Sequence, residues 1–170
     1  MIRPTCAIGV LSSAVVVIAT TATASMAQAP ANKACALVTD SELQAALGAK
    51  VTLKASSIGD VQTCGGETQS ARVLLRLFKR SSDPSGSAEQ AGIDAIRKMG
   101  AQVDVKTSGG IMCMTAVPPE NMAAVGYGTT CTVTSKAPTF AVIEITAKAQ
   151  KDMVPMEKLR SVAEKMASRF

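Results

Sequence analysis

The chain has 170 residues, with 18 Lys+Arg against 13 Asp+Glu, no histidine, no tryptophan, one tyrosine and three phenylalanines. Without histidine the commonest general base is missing, and Ser-His-Asp and Cys-His nucleophile systems are excluded. The basic excess is spread along the chain rather than massed in a block, and so few aromatic rings give bases nothing to stack on, so a nucleic-acid partner is not expected.

Residues 1–27 read as a secretory signal peptide. Arg3 is a short basic start, Ala7 to Ala19 is the apolar run, and Ser25-Met26-Ala27 supplies small residues for cleavage. Cleavage after Ala27 is preferred to cleavage after Ala29, which would leave Pro30 beside the scissile bond. The apolar run is too short for a comfortable membrane span, and no second run of about 20 apolar residues follows. Only Arg3 of the charged residues leaves with the signal, so the balance in the mature chain is 17 − 13 = +4. A periplasmic or secreted location follows. Residues 28–34 (QAPANKA) are small and polar and are expected to be disordered, and residues 35–170 to form a single domain.

Cys6 is lost with the signal, leaving Cys35, Cys64, Cys113 and Cys131. An even number in an exported chain points to two disulfides, for which three pairings exist. No pair has C-x-x-C spacing and histidine is absent, so neither a metal nor a redox cofactor is expected. Lipid attachment does not fit either, because Cys35 follows Asn32-Lys33-Ala34 and not the apolar run.

Along the mature chain, Thr39-Asp40-Ser41-Glu42 has the pattern of a capping box. It predicts a helix over 40–47 with Leu43, Ala46 and Leu47 buried and Gly48 as its stop. Val51–Lys54 suggests a short strand, and 56–70 (SSIGDVQTCGGETQS) reads as loop. Arg72–Arg80 alternates as a strand with Val73, Leu75 and Leu77 on one face. Residues 81–87 form a turn and a helix start, and Ala88, Ala91, Ile93, Ala95, Ile96 and Met99 give a helix over 85–99 stopped by Gly100, whose small buried residues are expected to let it sit close to a sheet. Strands are predicted around Val103 and Val105, over Ile111–Val117, over Tyr127–Ser135 and over Phe140–Lys148, with a single helical turn between Pro119 and Gly126. The turn at Pro138 makes the last two strands a hairpin. Pro155 opens a final helix over 156–169 that buries Leu159, Val162, Ala163, Met166 and Phe170.

The fold class is therefore α+β, an antiparallel sheet of about five or six strands packed by the 85–99 and 156–169 helices, with the 40–47 helix at its edge. Cys113 and Cys131 are central in consecutive strands. This favours the pairing Cys113–Cys131 and leaves Cys35–Cys64 to pin the 56–70 segment to the start of the domain.

The run Cys35-Ala36-Leu37-Val38-Thr39-Asp40-Ser41-Glu42-Leu43, ending in Ala46-Leu47-Gly48 and followed by Cys64, resembles the opening of a group of uncharacterised bacterial exported and lipoprotein-like proteins. The resemblance covers about 14 residues and implies a PsbP-like fold, an antiparallel sheet with helices packed on it. It implies binding or assembly work and brings no catalytic residues.

Asp60, Glu67 and Glu120 are acids without a visible carboxylate partner, and paired-carboxylate catalysis needs two such groups about 5–9 Å apart. No catalytic residues are assigned, and the chain is not expected to be an enzyme. Met112-Cys113-Met114, with Met122, Met153 and Met156, offers soft donors for Cu(I), but on a strand Cys113 points away from Met112 and Met114. Core packing is therefore the preferred role of these residues. Arg72, Arg76 and Arg80 alternate on one strand face and could form a cationic stripe for a membrane surface. The preferred reading is a face with Leu74 and Phe78 tucked under helices, so membrane contact is not favoured. Gly65-Gly66 and Gly109-Gly110 fit no phosphate-binding fingerprint and are expected to be turns. The leading functional expectation is a non-catalytic exported binding or assembly domain with an envelope or secreted protein partner. The alternative is a periplasmic small-ligand or Cu(I) binder using the Met-rich 111–122 region, and the third a secreted enzyme. A defined apolar pocket with converging polar groups would favour the small ligand; an exposed apolar patch without a pocket would favour the protein partner.

Overall fold

A computed structural model describes residues 32–79, 87–134 and 139–169. The expected signal peptide and residues 28–31, Arg80, the expected turn at 81–86, Ser135, Pro138 and Phe170 lie outside the described residues.

Seven strands form one antiparallel sheet: β1 Lys54–Ile58, β2 Val61–Glu67, β3 Ala71–Lys79, β4 Gln102–Ser108, β5 Ile111–Val117, β6 Tyr127–Thr134 and β7 Thr139–Ala147. Three α-helices join them: α1 Asp40–Leu47, α2 Ser87–Lys98 and α3 Met156–Ala167. The strand order is β1-β2-β3-β7-β6-β5-β4. It is two meanders, β1-β2-β3 and β4-β5-β6-β7, zipped together between β3 and β7 along nine residue pairs from Ala71↔Ala147 to Lys79↔Thr139. The long apolar alternation of β3 and β7 explains why they meet at the centre, because only a central pair is shielded along its whole length.

The count of seven corrects the expectation of five or six, and the difference lies in 54–67. Its composition predicts a short strand at 51–54 followed by loop. In the structure Val51–Leu53 is not strand, and β1 and β2 form a hairpin around Gly59-Asp60. Every residue of β1 is exposed, so it carries no apolar alternation. Its strand character comes from backbone pairing to β2, and burial leaves no mark of it in the sequence. Gly65-Gly66 is likewise not a turn but lies inside β2. A Cβ on Gly66 would lie 2.6 Å from the Thr52 carbonyl oxygen and 2.7 Å from Val51 Cγ2, so the chain before β1 can cross there only over glycine. Gly109-Gly110 does form the β4–β5 turn, at φ 60° and 74°.

One sheet face carries the core. Val73, Leu75, Ile143, Ile145, Cys131, Val133, Cys113 and Ile111 point to it and are all at least 95% buried. It is covered by α3, which lies over β5 and β6, and by α1, which packs beside α3. The capping box of α1 is formed as expected: the Thr39 hydroxyl accepts from the Glu42 backbone N–H at 3.3 Å, and the Glu42 carboxylate accepts from the Thr39 N–H at 2.9 Å. Leu43 and Ala46 are buried and Leu47 is partly so. In α3, Met156, Leu159, Val162, Ala163 and Met166 form the buried stripe. The one fully buried hydroxyl in this layer, that of Thr129, donates to the Val154 carbonyl at 2.7 Å and so anchors the entry to α3.

Both disulfides join the favoured partners. Cys113 and Cys131 are opposite one another in the β5–β6 register, and Cys35 is bonded to Cys64 of β2. The order starts earlier than Cys35. The Asn32 side-chain amide donates to the carbonyls of Ser56 and Thr63 at 2.8 and 2.9 Å, and Ala34 is fully buried. Residues 32–34 thus depart from the expected disorder because Asn32 satisfies backbone acceptors of the β1–β2 hairpin.

Glu42 also does something the sequence did not announce. Arg169, beyond α3, donates to both of its carboxylate oxygens, at 2.8 and 2.7 Å, and to the Leu37 carbonyl at 2.7 Å. The Glu42 side chain is only 10% exposed. The Arg169 guanidinium, with the Thr39 hydrogen bonds, pulls its carboxyl down to about 2 from 4.5. A depressed carboxylate stabilises the fold above the unfolded value and loses that contribution as pH falls from 4.5 toward 2. With screening at the half-exposed Arg169, the loss is expected to be roughly 1–2 kcal/mol. Urea midpoints measured between pH 6 and pH 2.5 should fall in that window, and Arg169→Gln should flatten the fall. An equal fall in that variant would place the acid sensitivity elsewhere.

Candidate functional site

The second sheet face is built differently. It presents Leu74, Arg76 and Phe78 from β3, Val142, Glu144 and Thr146 from β7, Gly128, Thr130 and Thr132 from β6, and Met112, Met114 and Ala116 from β5. Its described helical cover is α2, which touches down near β4. The small residues of α2 do not bring it close as expected, for Ala91 and Ala95 are exposed. It rests on Ile93, which is 4% exposed, and on the half-buried Ile96, while Met99 beyond it is 53% exposed. A helix standing on two isoleucines leaves space beside it.

That space is an open groove of about 430 Å³. Ile96, Met99, Met114, Pro118, Pro119 and Met122 make apolar walls, Gly128 and Thr130 the floor, and Arg76, Glu144 and Thr146 the far side. A smaller cleft of about 180 Å³ under α2, which Met112 helps to line, continues it, since Ile96, Met114 and Thr130 line both. Gly128 leaves the floor open: a Cβ built there meets no atom within 4 Å. Arg76 Nη2 donates to Glu144 Oε2 across the β3–β7 ladder, and Thr146 Oγ1 donates to the other carboxylate oxygen at 3.3 Å. The Arg76 guanidinium also lies 5.9 Å from the Phe78 ring centre.

The sequence-derived candidates distribute as follows. Met112 and Met114 share the groove face, Met122 joins them from the 3-10 turn Glu120–Val125, and Met99 joins from the end of α2. Cys113 points to the opposite face and is bonded to Cys131, so it does not converge with them. Met156 is on the core face and Met153 lines neither part of the groove. Of the arginine stripe, Arg76 is paired with Glu144 and Arg72 lies 3.9 Å from Glu67 at the surface. Leu74 and Phe78 are not under a described helix as expected; both are half-buried, and Phe78 stacks on its cross-strand partner Phe140 at 4.8 Å. Asp60 stands in the β1–β2 turn and Glu67 at the far end of β2, about 23 Å away by strand rise, not together in a flexible loop. Glu120 is exposed at the start of its 3-10 turn. Among the described residues no group of three or more Cys, Asp or Glu side chains is placed to hold a metal ion.

A second depression of about 500 Å³ lies between Lys50, Thr52, Lys54, Gly65, Gly66, Glu67 and Arg72. Arg72 and Glu67 there are 66% and 73% exposed, so its charges are screened by water. No sequence pattern marks Arg76–Glu144 as a groove element. The one trace of it was Glu144, the single charge of β7, against the arginines of β3.

These features define a class: a disulfide-bonded, antiparallel α+β domain with one sheet face packed as core and the other opened into a methionine-walled groove. Among its described residues no helix is long and apolar enough to cross a membrane. No family model, no curated protein and no solved structure matches the chain.

Proposed function

We propose that the chain is an exported binding domain, working in the periplasm or outside the cell, and that its site is the groove beside α2 with a small, mainly apolar molecule as the occupant. The observation that carries this reading is the groove itself: about 430 Å³, apolar-walled, with a hydrogen-bonding ion pair on one side. Small-ligand sites have this size and this ratio of apolar lining to placed polar groups. Flexible thioether walls suit a molecule of irregular shape. A protein partner is the leading expectation from sequence; an apolar groove of this size with a polar pair on one side favours the smaller occupant. The two disulfides and the N-terminal signal pattern support export, and helices packed on an antiparallel sheet support the proposed PsbP-like relationship.

The protein purified gently from its native envelope or medium is expected to carry a stoichiometric small molecule in native mass spectrometry. Gly128→Leu, which fills the open floor and suits a strand better than glycine, should abolish that mass while changing stability by less than roughly 1 kcal/mol. A protein that emerges bound to another protein, with Gly128→Leu without effect, overturns the proposal.

A further inference from the structure

We infer that the groove selects an electrically neutral ligand that presents a carbonyl oxygen, an amide or ester on an apolar body, to Arg76; this rests on the groove being the binding site. Three observations carry it. First, Arg76 and Glu144 are the only charged residues among the described ones lining the main groove, and they are paired with each other, so it holds no net charge. Second, the two side chains are 34% and 33% exposed, which leaves the pair poorly screened. A carboxylate entering the groove would meet Glu144, and an ammonium would meet Arg76. Either would have to separate the pair and leave one half-buried charge uncompensated, which a neutral ligand avoids. Third, Arg76 Nε is buried and has no acceptor among the described residues. A buried donor without a partner is destabilising, and a carbonyl oxygen that drew the guanidinium a little toward the groove would satisfy it without bringing charge. Thr130 and Thr146 add neutral hydroxyls beside it. The apolar remainder of such a ligand fits along Met114, Met122, Pro118 and Pro119.

The test uses the purified protein with its methionines labelled at the methyl carbon, titrated with decanamide, decanoate and decylamine at pH 7. These probes share one chain and differ in head group charge. Decanamide is expected to shift the methyl signals of Met99, Met114 and Met122 and to bind at least tenfold tighter than the anion or the cation. The double variant Arg76→Leu/Glu144→Leu keeps the groove neutral and removes the donor. It should weaken decanamide about tenfold while its melting curve confirms the fold. Equal affinity for the three probes, or a preference for decanoate, overturns the neutral-carbonyl inference and leaves the groove as a binding site. Methyl signals that move with none of the probes overturn both.

Discussion

Leu159→Ala is expected to destabilise the domain by about 3 kcal/mol, and to lower its melting temperature by roughly 10 °C. Leu159 is fully buried at the centre of the α3 stripe, and α3 is the cover of β5 and β6 on the core face. Truncation removes transfer free energy and leaves a cavity that the sheet side cannot close, because Cys113 and Cys131 are tied together beneath it. Lys158→Ala, exposed one residue away on the same helix, should change stability by less than roughly 0.5 kcal/mol. Urea unfolding of the two variants decides the matter. A cost below about 1 kcal/mol for Leu159→Ala would mean that α3 does not seal the core.

Removing the Cys35–Cys64 bond, as Cys35→Ala/Cys64→Ala, should cost about 3–4 kcal/mol, and removing Cys113–Cys131 slightly less. The first bond closes a sequence separation of 29 and the second one of 18, so the first restrains the unfolded chain more. Their folded-state roles differ in the same direction. Cys113 and Cys131 join strands already paired along β5–β6, whereas Cys35 ties the short 3-10 turn Cys35–Leu37 to β2. Alanine is chosen over serine because Cys64, Cys113 and Cys131 are fully buried and a hydroxyl there would lack water. Thermal melts of both double variants should show the larger drop for the Cys35–Cys64 pair. Alkylation of the denatured, unreduced wild type should label none of these four cysteines.

The legible parts of this fold share one property: their signal is local. Thr39 and Glu42 are three residues apart and cap α1 by contacts within a single turn. The stripe of α3 and the alternation of β5 and β7 are periodicities that burial on one side imposes on consecutive residues. The pairing of Cys113 with Cys131 followed from placing each at the middle of a strand whose ends could be read. The hairpin β1–β2 had no such signal. β1 is exposed throughout and β2 buries only Thr63 and Cys64, so neither strand alternates, and the hairpin's order comes from hydrogen bonds to β3 and from Asn32, none of which demands an apolar side chain.

The sequence by itself determined an α+β chain with two disulfides, a capped first helix and an amphipathic last one, because each rests on neighbours in the chain. Only the tertiary structure decided where the groove lies. Arg76, Glu144, Gly128, Met114, Met122 and Met99 belong to six different segments. They meet because β3 pairs with β7 and not with β4, and because, of the apolar residues of α2, it is Ile93 and Ile96 that touch down while Ala91 and Ala95 stay exposed. Both are outcomes of competition among surfaces for burial across the whole domain, and no local pattern of residues records such a competition.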